Sequence, residues 1–275
     1  TVFDVSSSMS RMPVEMPNMP ATNLREPLIV DIADCLFRGN GGLISLAGGD
    51  QTQFTIENTV IAMSGDILHL KAENGTLLEK QAITGLSLEH VTVWTSGSLI
   101  RFPMAAISED SVINCAARNC IFSSLRGESL IVTEGAQTPD VALAVLAWQG
   151  ERNFYDGASR FWAFGDDDEP YDFAMWRDYW QPNGEVGASN EAIKWARRAT
   201  PEVLPFDFPF APLIPNDFAL SDSDDAPRAT DGSDAGASLD RLPLPYPPLV
   251  QSRERPPLSS SVGGSGDRAT APDAE

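Results

Sequence analysis

The hydrophobic positions in the middle of the chain repeat, and the repeat predicts its fold. Four segments align with one another: residues 30–46, 54–70, 86–102 and 115–132. Each begins with apolar residues at every second position, which is the pattern of a strand that buries one face. A polar residue then breaks the alternation, and we call these four residues the anchors: Asp34, Asn58, His90 and Asn119. We expect the chain to return to the same geometry at each anchor.

Each aligned segment predicts one coil made of three short strands. Asn and Asp side chains can bond their own backbone at a bend, so a corner is natural at the anchor. A second strand follows, then a glycine-marked turn, then an apolar pair that begins the third strand. The glycines are Gly42, Gly65, Gly97 and Gly127. Stacked coils bury a core that a single coil cannot bury. The sequence thus predicts an all-β protein folded as a right-handed parallel β-helix, a solenoid of about four to five coils.

A weaker match to the repeat predicts a fifth coil over 141–164. Asn153 takes the anchor position there, and residues 161–162 form the apolar pair. The alternative fold is an antiparallel sandwich of short strands. Asn-Gly pairs, which favour hairpin turns, occur at 74–75 and 183–184 but do not separate every strand. The spacing therefore favours the β-helix.

The composition divides the chain into four expected regions. They are an extended strap or partial upstream coil at 1–27, the β-helix at 28–165, a small mixed C-terminal cap at 166–220, and a disordered acidic and proline-rich tail at 221–275. A cap is expected because an open solenoid end exposes unpaired strand edges. Within it, 189–198 has the N-cap and the basic last turn of a short helix. Residues 204–220 alternate apolar residues with proline, which predicts an extended segment on the solenoid end. The tail is too poor in apolar residues to fold.

The charge of the chain narrows the classes of partner. The formal net charge is −20 and the isoelectric point is about 4.3. A surface this acidic repels nucleic acid, so nucleic acid is excluded as a partner. No stretch approaches the roughly 20 apolar residues of a membrane-spanning helix, so no membrane span is expected. A protein or a glycan remains as the expected ligand.

The cysteines bear on the compartment. Cys35, Cys115 and Cys120 are too few, and odd in number, for a disulfide framework. We expect free, buried thiols. Together with the absence of a signal-peptide pattern, free thiols slightly favour a cytoplasmic location. The chain does not begin with Met, which leads us to expect a piece of a longer polypeptide.

Two sets of carboxylates are candidate sites, although no catalytic motif is recognisable. Glu57 and Glu89 each precede their anchor by one residue, so adjacent coils would stack them about 5–6 Å apart. Such a pair could hydrolyse a glycosidic bond, and two solvated outward residues are the alternative. The second set is the run Asp166, Asp167 and Asp168. These residues could bind Ca²⁺ through oxygen ligands, but they lack the EF-hand spacing, and a solvated turn is the alternative.

The remaining features favour structural roles. His90 is an anchor and His69 lies at a non-equivalent position, so no Ser/His/Asp set is supported. The chain has no Cys-x-x-Cys or His-x-x-x-His spacing for zinc. The glycine-rich stretch 39–49 lacks the lysine of a phosphate-binding loop and fits coil corners. No metal or cofactor is expected. Three tryptophans could stack on sugars if exposed, with core packing as the alternative: Trp94, Trp148 and Trp176.

The aligned coils, with their N/D–x–apolar corners, resemble right-handed parallel β-helix domains of the pectate-lyase-like kind. The resemblance covers about half the chain and would imply a polysaccharide lyase or glycoside hydrolase, but the clustered Asp with Arg or Lys of those enzymes is not found here. With the stretch W-x-G-x-x-N-x-Y at 148–155, the coils also resemble the non-catalytic C-terminal region of large bacterial serine/threonine protein kinases. The chain has no H-R-D or D-F-G motif, so kinase activity is expected only in upstream sequence.

Two functional classes follow from these features. The first is a non-catalytic recognition or scaffolding module that binds a protein or glycan along a coil face or the loops between coils. The second is a carbohydrate-active enzyme with an atypical acidic site. A groove that holds Glu57, Glu89 and an exposed tryptophan would favour the enzyme. A face of scattered small polar residues would favour the module.

Overall fold

We describe the protein from a computed structural model that covers residues 3–6, 27–47, 51–71, 83–104, 112–135, 145–164, 169–182, 184–196, 210–221, 223 and 225–243. The strands in these residues are β1 (Phe3–Ser6), β2 (Leu28–Ala33), β3 (Leu36–Gly39), β4 (Ile44–Ala47), β5 (Thr52–Glu57), β6 (Val60–Met63), β7 (Leu68–Lys71), β8 (Ile83–Glu89), β9 (Thr92–Thr95), β10 (Ile100–Pro103), β11 (Val112–Arg118), β12 (Ile121–Ser124), β13 (Ile131–Glu134), β14 (Leu146–Glu151), β15 (Trp162–Phe164) and β16 (Glu185–Val186). The helical elements are the α-helix α1 (Phe173–Tyr179) and 3-10 turns at Pro215–Phe218 and Leu239–Arg241.

The strands form three parallel sheets, and each coil gives one strand to each sheet. Sheet 1 has the order β2-β5-β8-β11-β14-β16, sheet 2 has β3-β6-β9-β12, and sheet 3 has β1-β4-β7-β10-β13-β15. Every strand pair in these sheets is parallel. The predicted parallel β-helix is confirmed, and the antiparallel sandwich is wrong.

The number of coils differs slightly from the predicted four to five. Four coils contribute a strand to all three sheets. The fifth has β14 and β15, but its middle strand is reduced to one bridge between Phe154 and Ile121. Single strands extend the stack beyond these coils, because β1 pairs with β4 and β16 pairs with β14.

The apolar positions of the repeat fill the interior in register. In sheet 1, Phe54, Leu86, Cys115 and Trp148 follow one another on neighbouring strands, and all are buried. In sheet 3 the neighbours are Ile44, Leu68, Ile100, Ile131 and Trp162. Each buried side chain of this size stabilises the fold by about 1.5–3 kcal/mol. The core therefore runs along the solenoid axis, as the alternation predicts.

All four anchors form the predicted corners. Asp34, Asn58, His90 and Asn119 have positive φ values between 42° and 57°, a backbone conformation that Asn and Asp tolerate better than most residues. In the fifth coil the anchor is Arg152, with φ 53°, and the prediction of Asn153 is wrong by one residue. The register explains the shift, because Arg118 pairs with Glu151 and so aligns Asn119 with Arg152.

In the first three coils the glycine turns stack too closely for any side chain, whereas Gly127 in the fourth has open space around it and a positive φ of 68°. A Cβ atom on Gly65 would lie 2.8 Å from the carbonyl carbon of Gly41, and one on Gly97 would lie 2.6 Å from that of Gly65. Such distances require glycine, because real Cβ atoms do not approach backbone so closely. Gly41 and Gly42 of the glycine-rich stretch therefore lie at a coil corner, in agreement with the structural interpretation of that stretch.

Helix α1 packs against the fifth coil. The side chain of Asp172 accepts a hydrogen bond from Met175 N at 2.9 Å and so caps the helix. Trp176 is buried, with ring centroids 5.1 Å from Trp148 and 5.8 Å from Phe161. Its contacts cover the apolar rings of the fifth coil, which an open end would leave in water.

The short helix predicted at 189–198 does not form in its described part, 189–196. Ser189 instead bridges Phe154, and Trp195 bridges Leu220. Asp156 holds this segment extended, because its carboxylate accepts hydrogen bonds from Ile193 N at 2.8 Å and from Trp195 Nε1 at 3.1 Å. Tertiary contacts have overridden a weak helix propensity.

Residues 210–220 pack on the side of the solenoid, whereas the composition predicted packing on its end. Phe210, Leu213 and Phe218 form one buried cluster with outward side chains of sheet 2. Those side chains are Val60 and Ala62 of β6, Trp94 of β9 and Ile121 of β12. The outer face of sheet 2 is apolar, so it must be covered.

Residues 228–241, which we call the strap, cross the coils along the anchors. Thr230 N donates to Asn119 Oδ1 at 2.9 Å, and Ser238 N donates to Asn58 Oδ1 at 2.6 Å. Between them Gly236 O lies 3.3 Å from His90 Nδ1, and beyond them the Arg241 guanidinium lies 3.0 Å from Asp34. The tail predicted as disordered from residue 221 is therefore ordered over the strap, and residues 244–275 lie outside the described residues.

Candidate binding groove

The two candidate glutamates are neighbours on sheet 1 but do not share a groove. Glu57 and Glu89 are register partners on β5 and β8. The carboxylate of Glu89 is paired with Arg118 Nη2 at 2.6 Å, and its side chain is 42% exposed. Glu57 is exposed and borders a depression beside the strap, whereas Glu89 borders a separate one beside Glu151. The two glutamates are therefore stacked on neighbouring strands as predicted, but their carboxylates lie at the surface beside two different depressions.

The other predicted candidates do not build a site. Trp94, Trp148 and Trp176 are buried, with exposures of 3%, 4% and 0%, so they cannot stack on a sugar. The run Asp166, Asp167 and Asp168 lies outside the described residues. Among the described residues, no group of three or more His, Cys, Asp or Glu side chains could hold a metal ion.

The two histidines lie on different coils. His69 Nδ1 is 3.7 Å from Asp66 Oδ2, on the sheet 3 side. His90 lies at the strap, with its Nε2 atom 3.4 Å from Asn119 Nδ2 and 4.0 Å from Asp231 Oδ2. His90 therefore has the structural role of an anchor, held between its neighbouring anchor and the strap.

A groove of about 560 Å³ lies on the outer face of sheet 1. Its floor consists of the outward residues of β5, β8, β11 and β14, where the strands alternate between the core and the surface. These residues are Gln53, Gly85, Ser87, Asn114, Ala116, Ala147 and Gln149. Small side chains keep the floor shallow, because strands about 4.8 Å apart leave little relief between them.

Three exposed amides supply the polar chemistry of the floor. Gln53, Asn114 and Gln149 are all exposed and lie on three different coils. Each amide offers both hydrogen-bond donors and acceptors. Among the described residues, none that lines the groove is charged. On a chain with a net charge of −20, this neutral surface is a distinct local environment.

The wall of the groove is formed by residues 180–182 and Gly184, which follow α1. The Trp180 ring is stacked on Trp162, with centroids 5.8 Å apart and planes 5° apart. Gly184 N donates to Trp180 O at 2.7 Å and closes the turn. A Cβ atom at Gly184 would collide with Trp180, so the turn requires glycine. Trp180 Nε1 is buried and has no hydrogen-bond partner among the described residues.

Behind the groove, the carboxylate of Glu185 is enclosed by four hydrogen-bond donors. Its Oε2 atom accepts from Trp148 Nε1 at 2.5 Å, Tyr155 Oη at 2.9 Å and Trp176 Nε1 at 3.4 Å. Its Oε1 atom accepts from Asn153 Nδ2 at 3.2 Å. A Cβ atom at Gly150 would collide with this carboxylate. We call this arrangement the carboxylate cage.

The cage perturbs the titration of its members. Burial raises the pKa of Glu185 above its ordinary value, although its four donors act in the opposite direction. Burial and the nearby Glu185 carboxylate raise the pKa of Tyr155 well above its ordinary value. Burial also raises the pKa of Cys115, which with Cys120 is buried as a free thiol. The tyrosine and the two thiols therefore stay neutral in moderate pH.

The sequence pattern missed both Trp180 and Glu185. The stretch W-x-G-x-x-N-x-Y at 148–155 was a usable signal, since Trp148, Gly150, Asn153 and Tyr155 all belong to the cage. The carboxylate itself belongs to Glu185, which lies 30 residues beyond Tyr155, and no local spacing connects the two. The pairing of β14 with β16 is what brings Glu185 to that stretch.

Comparisons with known proteins add no family to this picture. No helix in the described part of the chain is both long and apolar enough to cross a membrane. Neither a scan of protein-family models nor searches of curated proteins and of solved structures returned a match to this chain.

Proposed function

We propose that this β-helix is a non-catalytic recognition module that binds a neutral, extended glycan along the groove of sheet 1. The observation that supports this proposal best is the composition of the groove. Its floor carries three exposed amides and otherwise small residues, and no charged side chain lines it. This is the face of small polar residues that favours a module over an enzyme.

A glycan suits the groove because the surface repeats. Successive coils place strands about 4.8 Å apart, and along the row Gln53, Gly85, Asn114 and Ala147 an amide recurs at every second coil, so a polymer of identical units can meet it in a repeating way. Sugar hydroxyls are donors and acceptors at once, and the amides of Gln53, Asn114 and Gln149 can pair with both functions. A polyanionic glycan is disfavoured, because the net charge of −20 repels it.

Calorimetric titration with soluble neutral polysaccharides, and with an anionic one for comparison, tests this proposal. We expect binding of a neutral polymer and a loss of about fivefold in affinity for Asn114→Ala or Gln149→Ala, the value of one hydrogen bond. The matched control is Asn40→Ala, an exposed amide at a corner away from the groove. The proposal would be refuted if no neutral polysaccharide binds, or if the affinity is unchanged in both groove variants.

The alternative class, a carbohydrate-active enzyme, is tested in the same samples. If reducing ends are released from the bound polymer, and Glu57→Gln or Glu89→Gln abolishes this release, the protein is an enzyme and not a non-catalytic module. We expect no release, because the two carboxylates border different depressions and Glu89 is paired with Arg118.

We further propose, from the resemblance described above alone, that the chain is the C-terminal part of a larger bacterial protein such as a serine/threonine kinase. The coding sequence upstream of Thr1 tests this proposal. A kinase domain there would make the module a recognition appendage. Upstream sequence that encodes no catalytic domain would contradict the proposal.

A further inference from the structure

The carboxylate cage joins the elements that surround the groove. Trp148 belongs to β14, which is a strand of the floor, and Trp176 belongs to α1, from which the wall continues. The main chain adds two links, because Gly150 N donates to Gly184 O at 2.6 Å and Arg152 N donates to Val186 O at 2.8 Å. Floor, helix and wall are therefore held together at Glu185.

The donors of the cage are arranged for an ionised carboxylate. Trp148, Asn153 and Trp176 present N–H groups to Glu185, and Tyr155 presents its hydroxyl. A carboxylate can accept all four bonds, whereas a protonated carboxyl or an amide carries hydrogen of its own, and of these four groups only the Tyr155 hydroxyl can turn to accept it. The four bonds in their present directions are thus available only to the charged form, and loss of the charge rearranges the cage.

The buried titratable groups near Glu185 stay neutral over the range in which it titrates, and the neighbouring strand β14 and the corner after it add the exposed side chains of Glu151 and Arg152. Tyr155 approaches it from the fifth coil, and Cys115 and Cys120 from the fourth. Burial raises the pKa of Cys120 to about 12. No cationic side chain is bonded to Glu185 among the described residues. Among the buried groups, proton binding in this range therefore belongs to Glu185.

We propose that Glu185 is the positioning residue of the groove, which sets the wall at 180–182 and Gly184 against β14 and thereby the affinity for the ligand. The inference rests on the proposed function. It also assigns a role to the stretch at 148–155, which supplies three donors and the glycine that admits the carboxylate. Loss of the charge, by substitution or by protonation, frees the wall from the floor and weakens binding.

The test compares Glu185→Gln with Glu151→Gln, the same chemical change at an exposed residue of the adjacent strand β14. We expect Glu185→Gln to lose about tenfold in affinity for the neutral polysaccharide that the wild type binds, since at least one charge-assisted bond is lost. Glu151→Gln should bind as the wild type does. The wild type should also lose affinity as the pH falls through the pKa of Glu185, whereas Glu185→Gln should give a flat profile. If Glu185 had only a structural role, Glu185→Gln would lower the stability of the fold but would leave the dependence of affinity on pH unchanged.

A second readout separates this inference from the proposed function. The Trp180 indole resonance, followed by NMR without any ligand, should shift with the single titration of Glu185 in the wild type. If no polysaccharide binds, the proposed function fails, and this shift still supports Glu185 as the residue that sets the wall. If Glu185→Gln does not fold, the wild-type titration of Trp180 decides alone. A Trp180 resonance that ignores this titration, or an affinity unchanged in Glu185→Gln, would overturn the inference.

Discussion

The outer faces of sheets 1 and 2 differ in whether other segments of the chain cover them. Both sheets have one face in the core, and their outward residues decide what happens to the other. On sheet 2 the outward residues include Val60, Trp94 and Ile121, and the chain returns to bury them under residues 193–195, 210–218 and 235–242. On sheet 1 the outward residues at the groove are amides and small residues, the charged outward residues Glu57, Glu89, Arg118 and Glu151 lie at the strand ends, and the described residues leave the groove uncovered. In the described residues the two sheets thus differ in whether the chain covers their outer face, as the apolar or polar character of that face requires.

The largest effect is expected from Trp94→Ala on the covered face. The Trp94 ring lies 5.0 Å from Trp195 and 4.8 Å from Phe218. Its removal leaves a cavity and should lower the free energy of unfolding by about 3–5 kcal/mol, measured by urea denaturation. On the open face, Asn114→Ala should change it by less than about 0.5 kcal/mol. Equal losses at both positions would erase the distinction between the faces.

The next effect concerns the strap that borders the covered face. Asn58 has φ 42°, and its side chain bonds both Asp34 and Ser238 N. Asn58→Ala should lower the free energy of unfolding by about 2–4 kcal/mol, because it adds left-handed strain to the lost bonds. Asn58→Gly removes the same bonds without the strain and should cost about 1–3 kcal/mol, in the same denaturation experiment. Wild-type stability in both variants would show that the strap contributes nothing.

A smaller effect separates stability from binding at the edge of the groove. Because burial raises the pKa of Glu185 in the folded state, the folded protein binds this proton more readily than the unfolded chain does. The resulting stabilisation is complete below the unfolded pKa and is lost as the pH rises through the folded pKa. The free energy of unfolding of the wild type, relative to Glu185→Gln, should therefore increase on acidification while affinity for the ligand falls. If the free energy of unfolding and the affinity for the ligand changed in the same direction on acidification, this assignment would be contradicted.

The repeat predicted the solenoid because its cause is local. Alternation fixes which residues face the core, and positive φ at residues such as Asn58 and Asn119 suits their type. The register of strands follows from aligning those positions. The same logic failed at Asn153, where the anchor moved to Arg152, since the alignment depended there on residue type and not on strand pairing.

The strap and the cage were beyond the sequence pattern because their partners are distant. The strap has few apolar residues, which predicts disorder, but it is held largely by hydrogen bonds from its main chain to Asn119, Asn58 and Thr92. Those bonds span 111 to 180 residues. Amino-acid composition does not predict main-chain hydrogen bonds of this kind, because they depend on acceptors that the stacked coils hold in position.

The smallest effect on stability is expected when the open face is made to resemble the covered one. Ser87, Ala116 and Gln149 follow one another across β8, β11 and β14. Changing all three to Val should alter the free energy of unfolding by no more than about 1 kcal/mol, because valine suits exposed strands. It should nevertheless cause self-association, detected by sedimentation, because an apolar face is left uncovered. The control with Thr at all three positions keeps the shape and should stay monodisperse. Association should strengthen with salt, which screens the repulsion between chains of net charge −20. A monodisperse valine variant at high salt would mean that the apolar character of an outer face does not by itself demand a cover. Hydrogen bonds such as those from the strap to Asn58 and His90 would then be the main cause of the covering of sheet 2.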